Sequence, residues 1–179
     1  SASDLAPTVA GAAVYATSTD GGIHAFHSSG DSKLRAKIDE PASAPPAISK
    51  GRVYVPGQKG RMYVLDAATG GTLWTDSEYA ERVGFADFSP DGTLATTSSD
   101  GCLRVYTAEG RLVFRSEYPP RSDPGLACRG SALGGVRFSP DGRFLAFGLQ
   151  DRVEIVVMDV KSLSIVNRLR VNEPAQRSL

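Results

Sequence analysis

The chain has 179 residues, of which 41% are hydrophobic and 22% are charged, and both fractions lie in the range of ordinary globular domains. Twenty basic and twenty acidic residues give a formal net charge of zero, so composition indicates neither a nucleic-acid partner nor an anionic membrane surface. The sequence lacks a long apolar run, so no membrane insertion is predicted. It begins at Ser1 without a signal-like segment and does not indicate a compartment.

Four hairpin-like segments follow one another along the chain. In each, two short strands rich in β-branched and aromatic residues flank a tight turn. The segments are residues 14–26, 53–65, 94–106 and 144–158, with turns at Asp20-Gly21, Lys59-Gly60, Asp100-Gly101 and Gln150-Asp151. A repeat of about 40 to 50 residues with four strands a unit is typical of β-propeller blades. We therefore predict an all-β propeller with about four blades of four antiparallel strands, at residues 8–38, 44–75, 83–116 and 135–171.

Each blade is predicted to begin with a short inner strand. Residues 8–10 form it in the first blade, and residues 83–88 and 135–138 form it in the third and fourth blades. The last two are followed by the turn motif SPDG, in which proline presets φ and glycine closes the turn, so its aspartate is predicted to be structural. The proline-rich residues 39–49 are predicted to connect the first two blades, because proline removes backbone donors.

Residues 52–74 closely resemble the PQQ-like (quinoprotein-type) propeller repeat. The matching residues are Val53, Tyr54, Val55, Gly60, Met62, Tyr63, Leu65, Asp66, Ala67, Thr69, Gly70, Leu73 and Trp74. The units with SPDG are similar to WD40-like repeats, although Phe26-His27 and Tyr106-Thr107 depart from the Trp-Asp ending of a WD repeat. Together the resemblances cover about residues 8–171. They indicate fold more strongly than function, because propellers host many unrelated activities.

The length of the chain leaves three ways to complete a ring. Proteins with such repeats close with about six to eight blades, whereas this chain has about four. Two copies could form one eight-bladed ring as a homodimer, or the chain could be part of a larger propeller. It could also close alone as a four-bladed ring. We favour this state less than the other two, because four blades is the lower limit for such rings. An open arc would expose apolar faces on its first and last blades.

The resemblance implies one enzymatic alternative, a PQQ-dependent quinoprotein dehydrogenase or a fragment of one. Such an enzyme has a central quinone above a calcium ion, a tryptophan stacking platform and a disulfide between adjacent cysteines. This chain has no adjacent cysteines, and Trp74 is explained as an outer-strand packing residue of the repeat. No nucleophile elbow, phosphate loop, dinucleotide fingerprint or zinc-ligand spacing occurs. We therefore predict a protein without catalytic residues, cofactor or metal.

The sequence favours a protein-interaction scaffold, with residues 117–134 as the candidate partner-binding loop. This segment is irregular, and loops on a rigid scaffold often carry binding residues. Its candidate contact residues are Tyr118, Arg121, Asp123 and Arg129. A plain surface connection is the alternative interpretation of the loop. The alternative functions are a small-ligand-sensing or quinoprotein-derived domain and a structural piece of a larger assembly.

The two cysteines, Cys102 and Cys128, lie at a strand start and in the candidate loop. They could form a disulfide if the loop folds back, and that would indicate an oxidising compartment. The alternative, which we favour from the sequence, is one small buried cysteine and one free loop thiol.

Overall fold

The computed structural model describes residues 5–27, 29–117, 133–149 and 154–170, and within these ranges it contains strands and no helix. Sixteen strands form four antiparallel sheets, and each sheet takes four consecutive strands in chain order. The strands are β1 (Thr8–Ala10), β2 (Ala13–Thr17), β3 (Gly22–His27), β4 (Ser32–Lys37), β5 (Ala47–Ser49), β6 (Arg52–Pro56), β7 (Met62–Asp66), β8 (Thr72–Asp76), β9 (Val83–Phe88), β10 (Leu94–Ser98), β11 (Cys102–Tyr106), β12 (Leu112–Glu117), β13 (Leu133–Phe138), β14 (Phe144–Leu149), β15 (Glu154–Asp159) and β16 (Ser164–Arg170).

The sheets stack face to face because alternate residues of their middle strands bury opposite faces. In β6, Val53 and Val55 belong to the hydrophobic cluster shared with the first sheet, whereas Tyr54 between them belongs to the cluster shared with the third. Successive side chains of a strand point to opposite faces, so a strand buried on both faces is an almost continuous apolar run. The middle strands of the second and third sheets show this pattern.

Three hydrophobic clusters hold the sheets together in chain order, one between each successive pair. The first strand of each sheet also lies beside the first strand of the next, so the four sheets are blades around a common axis. In the part of the chain that the structure describes, no hydrophobic cluster joins the fourth blade to the first. Within the described residues, the four blades therefore form an arc rather than a closed ring.

The four sheets of four antiparallel strands confirm the predicted fold class. The inner strands β1 and β9 have the predicted bounds, whereas the fourth sheet begins at Leu133, before the predicted residue 135. The pairing of β13 with β14 shifts register between Leu133 and Val136, so a bulge lengthens this inner strand. Simple alternation does not reveal such a bulge in the sequence.

The hairpin between the third and fourth strands of every blade turns at a residue with positive φ. Glycine fills this position in three blades, as Gly30, Gly70 and Gly110, whereas the fourth blade has Leu163 with φ of 52°. A residue with a Cβ loses about 1–2 kcal/mol in this conformation. Leu163 packs against the cluster between the third and fourth blades, and this burial offsets the backbone strain.

Candidate functional site

A groove of about 520 Å³ opens between the inner strands on the axis side of the arc. The segment before β5 contributes Pro45 and Pro46 to its wall, and Phe85 of β9 and Arg137 of β13 lie on its other side. Proline fixes φ, so this wall has little conformational freedom to lose when a ligand binds.

One aromatic ring and one cation dominate the exposed surface of this groove. Phe85 is 44% exposed, and the side chain of Arg137 is 82% exposed. Asp87 orients the arginine, since its Oδ1 atom lies 3.2 Å from the Arg137 guanidinium and its Oδ2 atom accepts the N–H of Phe138 at 2.8 Å. A guanidinium carries five N–H donors, so Arg137 keeps donors for a bound carboxylate or carbonyl oxygen.

The polar side chains of the groove already have hydrogen-bond partners within the protein. Its hydroxyl group, on Thr8, donates to the carbonyl of Pro46 at 2.6 Å, and its carboxylate, on Asp87, already has two donors. General acid–base or nucleophilic catalysis requires a side chain within hydrogen-bond reach of the reacting atom and a partner that activates it. Among the described residues, no group of three or more His, Cys, Asp or Glu side chains could hold a metal ion.

Trp74 is a packing residue, as predicted, and the described residues do not fit a quinone cofactor. Its ring lies in β8 with its centroid 5.4 Å from that of Tyr106 and 6.5 Å from that of Tyr54, and its Nε1 atom is buried without a hydrogen-bond partner. A stacking platform would need a tryptophan at the axis, whereas Trp74 lies on β8, the outer strand of its blade, and packs against the cluster between the second and third blades. On the axis side, the groove is lined by no tryptophan that could stack on a quinone. Its carboxylate, on Asp87, is paired with the Arg137 guanidinium and is therefore not a free ligand for calcium.

A buried polar network between the second and third blades was not predicted from the sequence. Arg104 of β11 is fully buried, and it donates to Asp76 Oδ2 at 2.6 Å and to the Glu78 carbonyl at 2.7 Å. Its guanidinium carbon also lies 3.7 Å from the centroid of the Tyr79 ring. The sequence contained one signal for this network. Leu103 and Val105 face the fourth blade, so strand alternation directs Arg104 between them towards the second blade, where a side chain is buried.

The same network contains two buried tyrosine hydroxyls. Tyr106 donates to Asp76 Oδ2 at 2.5 Å, and the Tyr79 hydroxyl lies 2.8 Å from that of Tyr106 and 2.5 Å from Thr96 Oγ1. Burial opposes ionisation of Asp76, but the hydrogen bonds from Arg104 and Tyr106 outweigh it and lower the pKa of the carboxyl group. Burial raises the pKa of Tyr79 to about 12 and also raises the pKa of Tyr106. The network therefore holds one arginine–aspartate ion pair and two neutral phenols.

Alkaline pH is expected to destabilise the protein through Tyr79. Its folded pKa of about 12 lies above the ordinary tyrosine pKa of about 10, so its contribution is complete below pH 10 and is lost as the pH rises towards 12. The loss amounts to roughly 3 kcal/mol, at about 1.4 kcal/mol per pKa unit. Urea denaturation at several pH values from 8 to 12 measures this slope, and Tyr79→Phe should make it shallower by about one proton. An unchanged slope in Tyr79→Phe would contradict the assignment.

The interface between the first and second blades has its own buried acid. The Glu40 side chain is 0% exposed, and its carboxylate accepts the Tyr63 hydroxyl at 2.9 Å and the main-chain N–H of Lys59. Gly57 makes room for it, because a Cβ at that position would lie within 2.9 Å of the carboxylate atoms. Asp39 and Arg61 extend this network at the surface, where Arg61 donates to the aspartate and the single proton of the Tyr63 hydroxyl is shared between Asp39 and Glu40.

The partner-binding residues predicted from the sequence, Tyr118, Arg121, Asp123 and Arg129, lie outside the described residues, so their role stays a prediction. The described chain reaches this segment at Glu117 and resumes at Leu133. The preference for a cysteine without a disulfide is wrong for Cys102, which is fully buried and disulfide-bonded. Cys128, the other cysteine of the sequence, lies outside the described residues.

Four-stranded antiparallel sheets that pack face to face around an axis define the protein as a β-propeller repeat protein. A family model described as outer membrane protein assembly factor BamB matches residues 2–117, which is more than half of the chain. The chain therefore belongs to this family of PQQ-like propeller repeats, and the predicted resemblance is confirmed. The WD40-like resemblance stays a prediction. Within the described ranges, none of the secondary structure is a helix of the length and apolarity that a membrane span requires.

Known relatives match only parts of their own length. The chain is 37% identical to protein HIR1 of Chaetomium globosum over 92 residues, which are 48% of this chain and 8% of that protein. It is 36% identical over 92 residues to protein hir-1 of Neurospora crassa, of which 9% is covered. The computationally designed Ika8 protein has a similar fold, with a TM-score of 0.75 and 18% identity over 91% of this chain and 48% of the designed chain. The chain thus spans about half of the designed protein and less than a tenth of these curated relatives.

Proposed function

We propose that the chain is a non-catalytic β-propeller scaffold whose axis groove binds an extended acidic segment of a protein partner. The observation that supports this most directly is the exposed pair of Phe85 and Arg137 beside the proline wall. Aromatic and arginine side chains are the residue types most enriched among energetically dominant contacts of protein interfaces. The groove is lined by inner strands of rigid blades, so its shape is formed before a partner arrives.

The charges of the groove favour an acidic rather than a basic segment. Asp87 has its two oxygens bonded to Arg137 and to the Phe138 main chain, whereas the guanidinium is largely exposed. A carboxylate of the partner can therefore bind Arg137 while an apolar neighbour covers Phe85. The chain has no net charge, so the attraction of an acidic segment comes from Arg137 and not from a long-range field of the whole protein. Added salt should weaken binding by screening this one charge contact.

Selection from a displayed library of random peptides, followed by fluorescence anisotropy with the selected peptides, tests this proposal. We expect peptides that combine acidic and apolar residues, and Phe85→Ala and Arg137→Gln should each weaken their binding about tenfold or more. Leu73→Ala and Arg143→Gln are matched controls, since Leu73 is 49% exposed on an outer strand and the Arg143 side chain is 67% exposed beside Asp159. Equal binding by all four variants would refute the groove as the site.

Two further experiments test the alternative binding site in the loop and the alternative function as a ligand sensor. The paired substitution Arg121→Ala and Arg129→Ala should reduce binding only if the loop of residues 117–134 contributes to the partner site. Quinones, sugars and Ca²⁺ in a thermal-shift assay test the ligand-sensing alternative, because a ligand specific to the native state must stabilise it. A shift that survives Arg137→Gln would favour that alternative at another site.

A further inference from the structure

A second cavity, of about 390 Å³, lies between the third and fourth blades. It is bordered by the turns β9–β10, β11–β12 and β15–β16, and it shares no lining residue with the axis groove. Asp91 and Glu109 supply two carboxylates to its lining. The apolar part of the lining consists of Val105, Val113, Val160 and Leu163. The cavity thus combines an aliphatic wall with two acidic groups.

Leu163 keeps part of this wall in place at the expense of backbone strain. Its φ is 52°, at the turn position where the other three blades have glycine. Strained residues of this kind persist where the surrounding structure holds them, and they occur most often at functional sites. Glycine at this position would relieve the strain but would remove the side chain from the cavity wall.

Both carboxyl groups are ionised at neutral pH. The Ser89 hydroxyl donates to Asp91 Oδ1, as does the Thr93 N–H at 2.9 Å, and these hydrogen bonds lower the pKa of Asp91. A hydrogen bond with Thr107 is the largest of the effects that lower the pKa of Glu109. A ligand group that binds between two ionised carboxylates is most strongly attracted if it is a cation.

The interface between the second and third blades shows which side chains take the equivalent place there. Lys50 and Arg52 flank the turn glycine of the second blade, as Asp91 and Thr93 flank that of the third. Lys50 donates to the main-chain carbonyl of Asp91, and the charges of Lys50 and Arg52 both act on Glu109. Two long basic side chains therefore bridge this interface.

The third blade has no such side chains to extend towards the fourth. Asp91 and Thr93 are shorter than lysine and arginine, and both line the cavity. The cavity thus corresponds to the space that basic side chains take one interface earlier. Lys50 and Arg52 offset part of the charge of Glu109 from that earlier interface, so a cationic ligand gains most when it reaches into the cavity beside Asp91.

We infer that the cavity between the third and fourth blades binds an arginine side chain of a protein partner. The aliphatic part of the arginine packs on the wall that includes Leu163, and its guanidinium donates to Asp91 and Glu109. The guanidinium suits this place because its planar fork carries five donors and is weakly hydrated. Val113 at the cavity is 39% exposed, and the protein surface around the arginine would cover it. The inference goes beyond the axis groove, which has different residues and the opposite charge preference.

NMR titration of the full-length chain with N-acetyl-arginine amide tests the inference. We expect saturable shifts of the Thr93, Thr107 and Glu109 amides, with the millimolar affinity of a small ligand. N-acetyl-norleucine amide has an aliphatic side chain without charge and should bind about tenfold more weakly or less. Asp91→Asn and Glu109→Gln should each weaken binding of the arginine probe about threefold, as expected for partly exposed ion pairs. Equal binding of the two probes, or no saturable shift at these amides, would overturn the inference.

Thr93→Arg tests the correspondence between the two interfaces. This variant gives the third blade the residue that the second blade has as Arg52, so its own guanidinium should fill the cavity and weaken probe binding about tenfold. Thr72→Arg is the matched control, since Thr72 is exposed on β8 and does not line the cavity. Equal affinity of the probe for the two variants would contradict the inference. Neither variant changes the axis groove, so its peptide-binding test stays separate.

Discussion

Replacing Gly110 with alanine is expected to destabilise the protein by about 2 to 5 kcal/mol. Two costs add at this position, since Gly110 has φ of 92° and a Cβ there would lie within 3.0 Å of three atoms of the Trp74 indole. A Cβ at positive φ costs about 1–2 kcal/mol, and overpacking a close contact adds typically 1–3 kcal/mol. Urea denaturation with an unchanged m-value measures the loss as a shift of the midpoint.

Gly30 is the matched control for this substitution. It takes the same turn position with φ of 88°, and nothing lies within 4 Å of the Cβ that it would gain. Gly30→Ala should therefore cost only the backbone part, about 1–2 kcal/mol. Equal losses for the two variants would show that the Trp74 contact contributes nothing.

The interface between the third and fourth blades suggests a rescue of Gly110→Ala. Phe114 takes the place of Trp74 there, because Trp74 pairs with Val64 and Phe114 with Val105, and Leu163 takes the place of the turn glycine. A smaller ring thus accompanies a larger turn residue. Adding Trp74→Phe to Gly110→Ala should cost less than the sum of the two single substitutions, since residues in contact are not additive.

Replacing Arg104 with methionine is expected to cost about 3 to 5 kcal/mol of unfolding free energy, since it breaks a buried ion pair and leaves one charge uncompensated. The side chain of Arg104 is 0% exposed and that of Asp76 is 12% exposed, so water replaces the lost hydrogen bonds poorly. The double substitution Arg104→Met with Asp76→Asn should recover part of the loss because it removes the unpaired carboxylate. Chemical denaturation at neutral pH measures each variant.

Arg115 provides the control for the arginine substitution. Its guanidinium lies 3.7 Å from Glu78, and the two side chains are 34% and 71% exposed. Exposed pairs of this kind contribute about 0–1 kcal/mol, so Arg115→Met should change stability little. If Arg104→Met cost no more than Arg115→Met, the buried network would not stabilise the contact between the second and third blades.

The candidate site was harder to predict from the sequence than the fold was. Phe85 and Arg137 lie on inner strands that were predicted, yet nothing in their local sequence indicates that they share one groove. They meet because β9 and β13 lie side by side near the axis, and that arrangement depends on packing between blades. The loop of residues 117–134 was the candidate by composition, and its role stays a prediction.

The sequence by itself determined the number of blades and the turns at Gly21, Gly60 and Gly101, whereas the predicted turn at Gln150-Asp151 lies outside the described residues. These follow from local chemistry, since alternating β-branched residues define strands and glycine permits the positive φ of turns such as Gly70 and Gly110. The tertiary structure decided which alternate residues meet across blades, and so revealed the Arg104 network and the Glu40 contact. Strand alternation assigns a side chain to one of two faces, whereas burial depends on whether a neighbouring blade covers that face.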